Sequence, residues 1–208
     1  MNIWWKLDVE VDWQLNSDFT CCTLHEVACN RIHILPSTQE KMPVTLSATD
    51  QSRIASETAE TFTEAYYNAL SASRQTISSF YCPPSDDTTP GGATPFINYN
   101  GEVLANGNDF QTEYSKMPFS YYEVQCLNAH VLNPCIDPEA TSTQKEAEKN
   151  VSIAVQVSGY VRLMERKEGP MRGFADHMVL VPGKSAKGKV QSEGRQWVIQ
   201  TQTFRFVV

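Results

Sequence analysis

Asp176 and His177 stand side by side in an apolar, β-branched run, the pairing that a proton transfer needs. The run Gly173 to Val181 reads as a strand, however, and adjacent strand residues point to opposite faces. The two side chains therefore cannot line one cavity. Cys22, His25, Cys29 and His33 show C-x2-H-x3-C-x3-H spacing, with His25, Cys29 and His33 on one helical face. That spacing is not a common zinc signature, and no metal is assigned to it. Cys126 falls within a strand pattern and is expected to pack as a small hydrophobe. Cys82 and Cys135 sit beside prolines without a metal partner in sequence. Lys184, Lys187 and Lys189 cluster in a loop that can touch RNA phosphate without reading sequence. No aromatic residue stands among them for base stacking, and a solvated loop is the plainer reading. Asn150-Val151-Ser152 matches the glycosylation acceptor pattern, which a nuclear or cytosolic chain does not use. No glycine-rich phosphate loop and no Ser-His-Asp arrangement is recognisable.

The chain that must position these residues has 208 of them, 41% hydrophobic and 20% charged, enough apolar material for one real core. Seventeen basic against 24 acidic residues give a net charge of −7, which excludes a generally basic nucleic-acid binder. No run approaches the ~18 apolar residues of a membrane-spanning helix. The first residues, Met-Asn-Ile-Trp-Trp-Lys-Leu-Asp, lack the apolar core and cleavage site of a signal peptide. A cytosolic or nuclear setting with reduced cysteines is expected.

Residues 1–41 hold three of the four tryptophans and three of the six cysteines but keep neither a helical nor a strand period. They are read as a poorly ordered extension or gene-model artefact, with the domain spanning 42–208 and Met42 a candidate start. Ser47 and Asp50 have capping-box spacing. Ile54, Thr58, Phe62, Ala65, Tyr66, Ala69 and Leu70 then form one apolar stripe of an amphipathic helix. A second short helix carries Arg74, Ile77, Phe80 and Tyr81 and stops at Pro83-Pro84. Ser85 to Gly92 reads as a loop, Phe96 to Tyr99 as a strand, and Asn100-Gly101 as a hairpin turn. A short helix near Asp109 to Lys116 shows Phe110 and Tyr114 on one face and ends at Pro118. Phe119–Val131, Val151–Met164, Gly173–Val181 and Gln196–Val208 read as strands, and Asn133 to Asn150 as a loop. Helices first and strands after predict an α+β fold, a curved antiparallel sheet with the helices on its concave face.

Phe62 and Tyr66-Tyr67, Arg74, Phe80-Tyr81, Asn100-Gly101, and Met117-Pro118-Phe119 before Tyr122-Glu123-Val124-Gln125 follow one another in a specific order. Gly159-Tyr160-Val161, Gly173-Phe174, Met178-Val179-Leu180-Val181, Trp197-Val198-Ile199 and Phe204-Arg205-Phe206 complete it. In that order the chain from 47 to 208 resembles the nuclear transport factor 2-like family, and within it the small subunits of mRNA export receptors. The Asn133–Asn150 and Gly183–Gly194 loops look longer than in the animal form. The resemblance implies a cone-shaped sheet wrapped around helices and obligate pairing with the matching domain of a large export subunit. It further implies a heterodimer that binds Phe-Gly nucleoporins and carries messenger ribonucleoprotein, in fungi also ribosomal subunits, through nuclear pores. No catalysis and no cofactor are implied. The location implied is the nucleus and nuclear pore, with shuttling to the cytoplasm. Two other readings share the fold: a homodimeric import carrier for a GDP-bound Ras-family GTPase, and a small cone-fold dehydratase or isomerase.

Strand alternation assigns the faces. Val155, Val157, Val161 and Leu163 are expected to face the helices, and Gln156, Ser158, Tyr160 and Arg162 to face away. Phe174, Asp176, Met178 and Leu180 point inward, His177 and Val179 outward. Inward Asp176 needs hydrogen-bond partners. In the last strand Thr201, Thr203 and Arg205 go outward, and Phe204 and Phe206 inward. Unless a bulge intervenes, Trp197 and Ile199 share the outward parity. This partly polar face with aromatic and β-branched members suits a protein interface. Arg205 is its expected anchor, since a planar guanidinium can hold a partner carboxylate bidentately. The resemblance implies the same: the matching arginine of the Phe-Arg-Phe run pairs with an aspartate on the large subunit.

Overall fold

Ser47 starts α1 (Ala48–Ala72): its side chain accepts from Asp50 N–H at 3.1 Å and its hydroxyl donates to the Asp50 carboxylate at 2.6 Å. The capping box is thus closed side chain to side chain. Ile54, Phe62, Tyr66, Ala69 and Leu70 of the predicted stripe are buried, but Ala65 is exposed. Ala55 and Ala59, fully buried, add the small residues with which the helix approaches its neighbours closely. The second helix is a 3-10 helix, Arg74–Phe80. The computed structural model describes residues 44–83, 95–164, 168–183 and 195–207, all within the compact unit Glu40–Val208. The Cys22–His33 set, the 1–41 segment, the whole Ser85–Gly92 loop and Lys184, Lys187 and Lys189 lie outside the described residues.

Six described strands form one curved sheet: β1 (Phe96–Tyr99), β2 (Glu102–Leu104), β3 (Ser120–Asn133), β4 (Ser152–Leu163), β5 (Met171–Pro182) and β6 (Trp197–Val207). Their order is β2-β1-β6-β5-β4-β3, so the sheet is open with β3 on one edge. The pairing of β1 with β6 is parallel, which a wholly antiparallel sheet did not anticipate; the other four are antiparallel. Asn100 and Gly101, with φ of 51° and 99°, make the turn between β1 and β2. Asn106 caps α2 (Gly107–Ser115), which buries Phe110 and Tyr114. Arg74 ties the helices together: its Nη1 donates to the Met117 carbonyl at 2.6 Å and its Nη2 to the Pro118 carbonyl at 2.7 Å.

Asn133–Asn150 is more than a loop. It holds a 3-10 turn, Pro138–Ala140, and a one-turn helix α3 (Gln144–Ala147) that buries Ala147. Asn150 is buried there: its amide oxygen accepts from Asp137 N–H at 3.1 Å and its Nδ2 donates to the Asp137 carbonyl at 2.7 Å. That side chain is a structural clamp. The core between α1 and the sheet is aromatic: Tyr99 and Phe204 stack at 4.5 Å, and Phe204 and Phe174 at 5.6 Å.

Candidate partner-binding face

The face assignments of β4 and β5 hold. Val155, Val157, Val161, Phe174, Asp176, Met178 and Leu180 are buried; Gln156, Tyr160 and His177 are exposed. Ser158, Arg162 and Val179 are half-buried on the same side as the exposed set. Register joins these positions into rows across the outer face. Phe96, Thr201, Val179, Ala154 and His130 form one row. Asn98, Thr203, His177, Gln156 and Asn128 form the next. Arg205, Ala175, Ser158 and Cys126 follow, then Val207, Gly173, Tyr160 and Glu123. Arg162 lies between Tyr121 and Met171 at the far end.

The middle of this face is small and mostly uncharged: Ala154, Ala175, Ser158, Thr201 and Thr203. Larger apolar side chains stand exposed at its margins, Phe96 at 47%, Met171 at 51% and Val207 at 52%. Such a surface lets another sheet approach closely at its centre and seal at its rim. Arg205 is exposed among these residues, and no carboxylate pairs with it among the described residues. Its Nη1 lies so near Gly101 that a Cβ there would meet it at 2.9 Å. The glycine turn therefore gives the guanidinium room to lie over the β1–β2 hairpin. Phe204 is buried and Phe206 half-buried against the core, as the alternation requires.

Two corrections come from bulges. The β5–β6 register steps from Val179↔Thr201 to Leu180↔Ile199, so Gln200 is the extra residue. That residue reverses the parity: Trp197 and Ile199 are buried in the core and do not extend the outward face. On β3 the register steps from Val124↔Gly159 to Cys126↔Ser158. The expected core packing of Cys126 fails for that reason, because the shift turns it outward, where it is exposed. Cys82, by contrast, is buried, and burial pushes its thiol up to about 11. Phe96 belongs to the face but was not among the predicted residues, since the parallel β1–β6 register is not readable from local pattern; Ala154 and Ala175 share the outward parity of β4 and β5, and alternation contained them.

Behind the face, Asp176 is fully buried on the inner side while His177 is exposed on the outer. Tyr67 donates to its Oδ2 at 3.0 Å and Gln202 Nε2 at 2.8 Å. Gln202 continues the network to Tyr66, 3.0 Å away, and its Oε1 accepts from Tyr81. Oδ1 of Asp176 has no hydrogen-bond partner among the described residues, and burial pushes the carboxyl up to about 7. Sequence alternation does contain a signal for this group: Gln202 and Asp176 are polar residues at inward positions of otherwise apolar strands.

No protein-family model matches the sequence, and no curated protein does. Solved structures do. A structure described as Sac3N peptide bound to Mex67:Mtr2 is 24% identical, covering 74% of this chain and 99% of its own, with a TM-score of 0.57. A structure of Mtr2 is 22% identical over 74% of this chain and 99% of its own, also at 0.57. The Chaetomium thermophilum Mex67 NTF2-like domain complexed with Mtr2 gives 21%, 74%, 99% and 0.56. The chain has the nuclear transport factor 2-like fold.

Proposed function

We propose that this protein is the non-catalytic small subunit of a nuclear mRNA export receptor heterodimer. The observation that carries the reading is the outer sheet face: small residues around exposed His177 and Gln156, exposed apolar margins, and Arg205 without a carboxylate among the described residues. The structures described as Mex67:Mtr2 complexes support it, since in them Mtr2 is paired with Mex67. The matching domain of a large subunit packs on this face, burying roughly 2,000 Å² or more in total as obligate pairs do. Gln156, Ser158, Tyr160, Arg162, His177, Val179, Thr201, Thr203 and Arg205 make the contact. The heterodimer then binds Phe-Gly nucleoporins and carries messenger ribonucleoprotein, with ribosomal subunits a further cargo. It works at the nuclear pore and shuttles between nucleus and cytoplasm. Lys184, Lys187 and Lys189 add non-specific phosphate contact. The opposed positions of enclosed Asp176 and exposed His177 support no acid–base role for that pair.

Affinity purification of the full chain from its native cell, read by mass spectrometry and light scattering, tests this. A 1:1 complex with a large subunit of the same fold is the expected result. A homodimer that retains a GDP-bound Ras-family GTPase would replace the reading with the import carrier.

A further inference from the structure

His177 stands midway along β5, an interior strand of the sheet, with its side chain exposed on the outer face. Its row neighbours are Thr203 on β6 and Gln156 on β4. Ala175 and Val179 flank it along its own strand, on the same side. None of these four carries a charge. The charged or titratable groups in the adjoining rows are Arg205 on β6 and, on the β3 edge, His130 and Cys126, all exposed. Tyr160 and Arg162 on β4 lie further along the same face. Glu123 on β3 is the one acid at an outward position of the described strands, two rows and two strands from His177, about 16 Å by strand spacing. The ring of His177 makes no hydrogen bond or ion pair among the described residues.

We propose that His177 makes pairing with the large subunit sensitive to pH, the complex weakening as the imidazole takes up a proton. The inference rests on the reading of this face as the subunit interface. A sheet laid on the face takes the middle of β5 out of water. A neutral imidazole tolerates that, with one ring nitrogen donating and the other accepting. An imidazolium does not, because a buried cation needs a compensating charge. This chain supplies no carboxylate there. Its nearest side chains, the Thr203 hydroxyl and the Gln156 amide, are neutral groups that suit either ring nitrogen, and Arg205 adds repulsion. The carboxylate proposed for Arg205 lies in the adjoining row and is already held by a guanidinium. The protonated ring therefore gives up its proton on pairing. An ordinary imidazole titrates at about pH 6.5, so the effect falls within the range that a cell can reach. Asp176, next in the chain but on the inner side, takes up its own proton over an overlapping range. That protonation favours the folded subunit, the opposite direction to a loss of pairing.

The test titrates the full 208-residue chain, labelled with fluorescein at its N-terminus, with the large subunit that co-purifies with it. Anisotropy is read at fixed ionic strength between pH 7.5 and pH 5.5. The Kd should rise about tenfold over that range, as loss of one proton from a group titrating at about 6.5 requires. His177→Gln is neutral throughout. It should pair at pH 7.5 as the original does and change by less than about twofold on acidification. His130→Gln, at the sheet edge, should keep the full pH dependence. Isothermal titration of the unaltered pair at pH 6.0, in two buffers of different ionisation heat, should show about 0.8 proton released per complex. That measurement decides the matter if a variant folds poorly. Absence of any complex at pH 7.5 overturns the subunit reading, and the inference with it. A complex that is as tight or tighter at pH 5.5, that releases no protons, or that keeps its pH dependence in His177→Gln overturns the inference alone.

Discussion

Asp176 and Arg205 both lack an ion-pair partner among the described residues, one inside the sheet and one outside it. Among the described residues Asp176 receives two hydrogen bonds on Oδ2 and none on Oδ1, and burial raises its carboxyl from 3.8 to about 7. Between those values the folded protein keeps a proton that the unfolded chain has released. This contribution to stability is complete below the unfolded value, shrinks as pH rises, and is gone once pH passes about 7. Denaturant titrations from pH 5 to 8 should show stability falling by up to about 1.4 kcal/mol per pH unit at the lower end. Asp176→Asn, which mimics the neutral acid, should flatten that slope; an unchanged slope in the variant would place the titration elsewhere. Arg205 is the converse case, exposed on the outer face. If the large subunit covers it, Arg205→Ala strands a carboxylate and weakens the complex by roughly 3–5 kcal/mol, with the subunit's own melting temperature unmoved. Arg205→Lys should also weaken pairing, by less. Phe204→Ala, removing a ring that is 1% exposed, should instead lower the stability of the subunit by about 3–5 kcal/mol. Co-purification with the large subunit beside thermal melts separates these outcomes, and full retention of Arg205→Ala would remove Arg205 as anchor.

At the scale of elements, alternation was readable wherever a strand ran without interruption. Val155, Val157 and Val161 against Gln156 and Tyr160, and Phe174, Asp176, Met178 and Leu180 against His177, come from period two alone. It failed where one extra residue entered. Gln200 carries no bulge signature in its type, so the outward parity of Trp197 and Ile199, which held only without a bulge, is reversed; Gln125 turns Cys126 outward in the same way. Long-range register was equally hidden, which is why Phe96 was not placed beside Thr201. The β3 bulge does leave one mark in the partner strand. A Cβ on Gly159 would come within 2.1 Å of the Glu123 carbonyl oxygen, and backbone cannot yield as a flexible side chain can. Gly159 is thus the residue that lets β4 lie against the bulge. Gly159→Ala should destabilise the subunit by about 1–3 kcal/mol or force the bulge to migrate. Melting temperature and amide exchange along β3 and β4 would reveal either result, and a variant as stable and as protected as the original would refute the steric account.

At the scale of the whole molecule, little of the chain before α1 is needed to carry the domain. Every described strand and helix lies between residues 48 and 207, yet the residues just before α1 are not idle. Val44 N–H donates to the Thr141 carbonyl at 3.1 Å, joining the start of the domain to the Asn133–Asn150 excursion. Leu46 is only 4% exposed within the core, and its carbonyl accepts from Gln51 Nε2 at 3.0 Å. Ser47 then supplies the cap. A chain beginning at Met42 keeps all of these groups. Its stability should stay within about 0.5 kcal/mol of the full chain, the range of substitutions remote from packing, and its affinity for the large subunit should be unchanged. A chain beginning at Ser47 keeps the same helices and strands but loses the buried leucine and the Val44–Thr141 link. It should lose roughly 2–3 kcal/mol, mostly from Leu46 burial. Differential scanning calorimetry of the three chains, with pull-down of the large subunit, distinguishes the cases. A marked loss of partner binding on truncation to Met42 would show that the first 41 residues belong to the working protein.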